Sequence, residues 1–133
     1  MNLRPKFLTF EQVVSLHALQ IEEFGGLLGI RDEGLLRSAI AQPEAGFGAE
    51  YFHKSLQDMA AAYLFHLVKN HAFIDGNKRI GALAAAVFLE VNGLIITATE
   101  EAFEAIVMAA AEGRASQAQI ADFFSSNTTG EPK

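Results

Sequence analysis

The chain has no cysteine, which removes disulfide frameworks, thiolate zinc sites and cysteine nucleophiles together. A thiol-free chain accords with a reducing cytoplasm, where disulfides are rare. Positive charge is scarce: ten Lys and Arg against sixteen Asp and Glu leave a formal net charge of −6. A general nucleic-acid binder neutralises phosphates with clustered cations, so direct nucleic-acid binding is not expected. Long apolar runs are missing too. The longest, Ile80–Leu89, is too short to span a bilayer and reads as a buried helix. The segment Met1–Phe10 carries Arg4, Pro5 and Lys6 with no apolar stretch behind them, which argues against a secretory signal. No repeat, low-complexity linker or composition break divides the sequence. Residues 1–133 are therefore read as one cytoplasmic domain with no membrane role.

What is present is core material. Half of the 133 residues are apolar, eleven of them Phe. At this length folding buries roughly two-thirds of the unfolded chain's surface, so no metal or disulfide staple is required. The pattern is helical almost throughout. Thr9 and Gln12 form a capping box ahead of Val13, Val14, Leu16, Leu19 and Ile21, and Gly25-Gly26 ends that helix. Asp32 caps a short second helix that stops before Pro43. Residues 43–54, with Gly46, Gly48, Phe47, Tyr51 and Phe52, read as a loop or short hairpin.

A third helix is expected from about Ser55 to Asn70 and a fourth from about Asn77 to Val91, closed by Asn92-Gly93. The fourth is apolar nearly all round, which places it at the centre of a bundle. Leu94–Ile96 is too short for more than a strand fragment. Thr97 or Thr99 caps a fifth helix, with Glu100 and Glu101 in its first turn and Glu104 on its solvated surface. Ser116 and Gln119 form a second capping box that opens a final helix through Phe124. The tail, residues 125–133, is expected to fray. The expected class is all-α, with about six helices.

The run His71-Ala72-Phe73-Ile74-Asp75-Gly76-Asn77-Lys78-Arg79 interrupts this pattern between the third and fourth helices. The first turn of a helix offers unpaired N–H groups and a partial positive charge, a ready phosphate site. Lys78 and Arg79 oppose that helix end electrostatically, so a bound anion would make sense of them. Asp75, the loop's one acid, can hold Mg²⁺ that bridges phosphate oxygens. Gly76 permits a tight turn. Phe73 plugs into the core and anchors the loop. His71 is a titratable base beside the phosphate site. Taken singly, each feature has an ordinary explanation as a cap, a turn or solvated surface. Together they supply base, metal ligand, cationic clamp and anion hole within one short loop.

The same run resembles the motif of the Fic/Doc superfamily, and it is closer to the death-on-curing (Doc) branch than to typical Fic proteins. The likeness extends to Gly29–Leu36 before the motif and Phe88–Gly93 after it, and spans roughly residues 7–124. It implies a compact Fic-fold bundle around a central apolar helix, with residues 43–54 as a flap that positions a target segment. It also implies transfer of part of ATP to a protein hydroxyl. His71 would be the catalytic base, Asp75 the Mg²⁺ ligand, and Gly76, Asn77, Lys78 and Arg79 the phosphate-binding residues.

Two departures matter. Adenylyl-transferring Fic proteins have Gly where this chain has Lys78, and a second Arg where it has Ala82. Both resemble Doc proteins, which transfer the γ-phosphoryl group to a Thr of elongation factor Tu and block translation. Doc proteins are neutralised by an antitoxin whose C-terminal segment covers the site. Phosphorylation is thus favoured over AMP transfer, and a catalytically weak Fic-fold binding module is the competing class. A metal-dependent nuclease is disfavoured by the negative charge and the lack of a second clustered acid. His17, His53 and His66 carry no motif. Tyr63 and Phe65 read as packing.

Overall fold

The computed structural model describes residues 4–133, so the start of the N-terminal segment considered above, Met1–Leu3, lies outside the described residues. Among the described residues there are six α-helices: α1 (Phe10–Phe24), α2 (Glu33–Ala41), α3 (Leu56–Asn70), α4 (Asn77–Val91), α5 (Glu100–Ala111) and α6 (Gln117–Ser126). A 3-10 turn, Gln42–Glu44, follows α2. The fold is all-α, as its periodicity requires. Both capping boxes form: the Thr9 hydroxyl accepts from Gln12 N–H at the start of α1, and Ser116 from Gln119 N–H at the start of α6. Asp32, Ser55 and Thr99 cap α2, α3 and α5 through their side-chain oxygens. Each such cap satisfies a donor that a helix start would otherwise orphan, and stabilises by about 1 kcal/mol.

Two helices share the centre. α3 packs against α2, α4, α5 and α6, and buries Leu56, Met59, Ala60–Leu64, Leu67 and Val68. α4 lies along it, but Ala82, Leu83, Ala86 and Val87 remain half-buried. The apolar circumference of α4 places it at the centre of the bundle, and it lies there with α3, which carries the longer buried stripe. The helices meet closely at Gly81, where a Cβ would lie 2.7 Å from Val68 Cγ2 and 3.2 Å from Leu64 O. Tyr63 is fully buried, and its hydroxyl accepts from Leu8 N–H at 2.9 Å.

Residues 43–54 contain a two-stranded hairpin, β1 (Gly46–Phe47) with β2 (Glu50–Tyr51). The tail corrects an expectation. It does not fray: α6 continues to Ser126, and β4 (Thr128–Gly130) pairs antiparallel with β3 (Leu94–Ile96) in the register Leu94↔Gly130, Ile95↔Thr129, Ile96↔Thr128. Leu94–Ile96 is thus one edge of a ribbon rather than a stray fragment. Thr128 is fixed on both sides, donating to Phe124 O at 2.7 Å and accepting from Gln57 Nε2 at 3.2 Å. Asn92 ties Lys6 and Lys133 to the C-terminal end of α4. Its side chain exchanges hydrogen bonds with Lys6 N and O, and its carbonyl accepts from Lys133 N–H. Among the described residues no helix is long and apolar enough to cross a membrane.

Candidate active site

The loop between α3 and α4 is stitched to the segment before α2 as if it were a strand. Ile30 and Phe73 form an antiparallel bridge. Arg31 and Asp32 N–H both donate to Ala72 O, and Ile74 N–H donates to Gly29 O. Phe73 is fully buried. Burying a ring of that size is worth about 1.5–3 kcal/mol, enough to hold a short loop in one conformation.

His71 is the C-cap of α3 and sits in the left-handed region, at φ 49° and ψ 46°. Among the described residues it is the one non-glycine residue with positive φ. A β-carbon there costs about 1–2 kcal/mol, which the surrounding bonds must over-determine. Arg31 supplies part of that restraint: its Nε donates to His71 O at 2.7 Å and its Nη2 to Asn70 O at 3.2 Å. The guanidinium thereby covers two orphan carbonyls at the negative end of α3.

Asp75 is exposed yet held. Its Oδ1 accepts from Gly76 N–H at 2.8 Å and its Oδ2 from Leu27 N–H at 3.1 Å. Leu27 can approach because Gly26, at φ +116°, has no Cβ; one there would lie 2.7 Å from Asp75 Oδ2. α4 then follows Gly76, which occupies its N-cap position in the left-handed region and offers no side-chain cap. The helix's first capped donor is Ile80 N–H, bonded to Gly76 O. The N–H groups of the first turn therefore face the cleft with no capping oxygen in competition, while Lys78 and Arg79 are exposed at its lip. Arg79 also lies over the Phe24 ring, 4.8 Å from its centroid, a contact that limits where the guanidinium can swing.

Asn77 requires a correction. It was grouped with the phosphate-binding residues, but its side chain is buried and committed to the loop. Its Oδ1 accepts from Phe73 N–H and its Nδ2 donates to Phe73 O, each at 3.0 Å. What Asn77 offers an anion is its backbone N–H. Its side chain is a brace.

These elements border a cleft of about 670 Å³, within the range of small-molecule sites. His71, Asp75, Gly76, Lys78, Arg79 and Ala82 line one side, and Glu104, Val107 and Met108 of α5 the other. Glu104 is exposed, as its place on the solvated surface suggests, and it borders the cleft. The β1–β2 hairpin is not among the lining residues, and its Phe47 is 84% exposed.

Motif reading missed His17. It lies four residues after Val13 on the buried stripe of α1, is 2% exposed, and reaches the loop from beneath. A polar ring placed at core spacing on an amphipathic helix was the available signal. Among the described residues no group of three His, Cys, Asp or Glu could enclose an ion. A single carboxylate beside an anion site does fit Mg²⁺, which is commonly held by one or two carboxylates together with substrate phosphates.

The Fic/DOC family pattern matches residues 7–89, from the start of α1 to the end of the motif-bearing helix's buried stripe. The chain is similar to Toxin Doc of Mycolicibacterium smegmatis, with 47% identity over 75 residues, 56% of this chain and 58% of that protein. It is similar to Protein kinase doc of Escherichia phage P1, with 31% identity over 112 residues, 84% of this chain and 87% of that protein. The family match, which includes the whole of the loop just described, and the phage relative, which covers the greater part of the sequence, establish that the chain belongs to the Fic/DOC family.

Proposed function

We propose that the chain is a toxin-like enzyme that transfers the γ-phosphoryl group of ATP to a hydroxyl of a target protein. The observation that carries this reading is the placement of His71, the uncapped start of α4, Lys78 and Arg79 around one cleft, with Ala82 a turn further on. The first-turn N–H groups and the two cations would bind a polyphosphate. Ala82 adds no third cation deeper along the helix, so positive charge is concentrated at the lip. This favours a nucleotide with its terminal phosphate nearest His71. The name of the phage relative, Protein kinase doc, supports the same reaction.

A ring nitrogen of His71 accepts the proton of the acceptor hydroxyl as its oxygen bonds to the γ-phosphorus. The bond from that phosphorus to the β–γ bridging oxygen breaks, and ADP leaves. General-base help of this kind is worth about 10²–10⁴ in rate. Mg²⁺, when bound, would offset the negative charge of the phosphates. Asp75 would hold it, its two oxygens already oriented by Leu27 and Gly76 N–H. By family resemblance the acceptor is a Thr of elongation factor Tu, which makes translation in the cytoplasm the process blocked. An antitoxin covering the cleft would be the natural restraint.

Incubation of the protein with a cell lysate and ATP labelled at either the γ or the α position tests the reaction. Label from the γ position, lost in His71→Ala, is expected. Label from the α position alone would replace phosphorylation by AMP transfer. Growth arrest that persists in His71→Ala, without label from either, would point to a binding module.

A further inference from the structure

His17 contacts the loop at two places and leaves no spare room at a third. Its ring stacks on Phe73, with centroids 3.7 Å apart and planes within 7°. Its Nε2 lies 2.7 Å from Asp75 O. A Cβ on Gly76 would lie 3.6 Å from the same nitrogen. Asp75 O is a carbonyl and can only accept, so Nε2 must carry the proton. In a trans peptide the N–H points opposite to the C=O. With Asp75 C=O drawn down onto His17, Gly76 N–H is turned up toward the surface, where it meets Asp75 Oδ1 at 2.8 Å.

From this geometry we infer that His17 is a positioning residue: by donating from Nε2 to Asp75 O it fixes the Asp75–Gly76 peptide, and so presents the Asp75 carboxylate to the cleft. The stack on Phe73 sets the plane of the imidazole, and the buried position on α1 sets its height. The hydrogen bond then fixes a single peptide orientation. Without the donor, the Asp75–Gly76 peptide can rotate, and the carboxylate loses the Gly76 N–H that aims it. Groups that orient a metal ligand in this way typically change metal affinity or activity by about 10–100-fold. The consequence for Mg²⁺ rests on the function proposed above. The consequence for the peptide does not.

Two variants separate donation from packing. His17→Phe keeps a flat ring against Phe73 and removes the donor; His17→Gln supplies an amide N–H at similar reach and removes the ring. ATP binding is measured with and without Mg²⁺. The expected result for His17→Phe is an affinity about 10–100-fold weaker with Mg²⁺ and unchanged without it, with much of the loss regained in His17→Gln. An equal loss under both conditions would make His17 merely structural and overturn the inference. So would an unchanged Mg²⁺ dependence.

The ¹⁵N signals of the wild-type ring provide a check that needs no variant: a proton on Nε2 is required, and the Nδ1–H tautomer would refute the assignment. If wild-type binding of ATP shows no Mg²⁺ dependence, the proposed function fails by itself. The amide signals of Gly76 and Leu27 then decide for His17. They should move in His17→Phe and return in His17→Gln; signals that stay in place refute the inference.

Discussion

Arg31 closes the end of α3 by donating from Nε to the carbonyl of His71 at 2.7 Å. The residue proposed as base is thus held through its backbone by a side chain from forty residues earlier. Arg31→Ala should leave two exposed carbonyls to water, costing about 1 kcal/mol and lowering the melting temperature by about 3–5 °C. Turnover should fall by a larger factor than stability suggests, because the imidazole loses its fixed origin. Arg31→Lys can reach one carbonyl but not both and should be intermediate. A melting curve set beside kcat for the three proteins checks the ordering.

His71 illustrates strain retained at the residue proposed as base. Glycine is the residue that its left-handed backbone prefers. His71→Gly should therefore raise stability by about 1 kcal/mol, while phosphoryl transfer falls by about 10²–10⁴-fold. Denaturant unfolding measures the first and labelled ATP the second. A less stable His71→Gly would mean that the imidazole contributes to folding, contrary to its exposed position.

Gly26 makes room for Asp75. In Gly26→Ala the new methyl would meet Asp75 Oδ2 at 2.7 Å, with the backbone at φ +116°. The carboxylate must swing away from Leu27 N–H, and the strained backbone adds about 1–3 kcal/mol. The expected outcome is weaker Mg²⁺-dependent ATP binding accompanied by lower stability. Gly25→Ala, where a Cβ would meet nothing within 4 Å, is the control. It should show the backbone penalty alone, with Mg²⁺ dependence intact.

His66 gives the fold a pH dependence of known sign. Burial lowers its pKa, a hydrogen bond with Gln117 works against the shift, and the nearby His53 adds to it. Above the ordinary value of about 6.5 the ring is neutral in both folded and unfolded chains and contributes no slope. As pH falls below that value the unfolded chain takes up a proton that the folded chain resists, so stability declines until the lowered pKa is passed. Unfolding of the wild type and His66→Gln at pH 8 and pH 5 should show a larger drop in the wild type. Equal drops would assign the acid sensitivity elsewhere.

Local signals carried most of the architecture. Thr9 with Gln12 and Ser116 with Gln119 announce helix starts because both halves of each box lie within four residues. The loop from His71 to Arg79 could be recognised for the same reason: its chemistry is contiguous. What escaped was pairing at a distance. Nothing in Asn127–Lys133 indicates that Thr128 will face Ile96, because a three-residue ribbon is fixed by where α6 delivers it. The two side-chain hydrogen bonds between Asn77 and Phe73 were hidden by the phosphate role its neighbours suggested. His17 and Asp75 are fifty-eight residues apart, and only the packing of α1 beneath the loop joins them.

The meeting of Lys6 and Lys133 at Asn92 has a practical consequence. α4 spans 15 residues, so this junction and the cleft at its other end are separated by about 22 Å. A short linker from Lys133 to Lys6 would close the backbone into a ring without crossing the cleft. Opening that ring at the exposed tip of the β1–β2 hairpin, near Gly48, should yield a circular permutant that keeps the loop, α4 and their supports intact. In such a molecule the new ends lie in the hairpin, so its continuity could be varied independently of the active site.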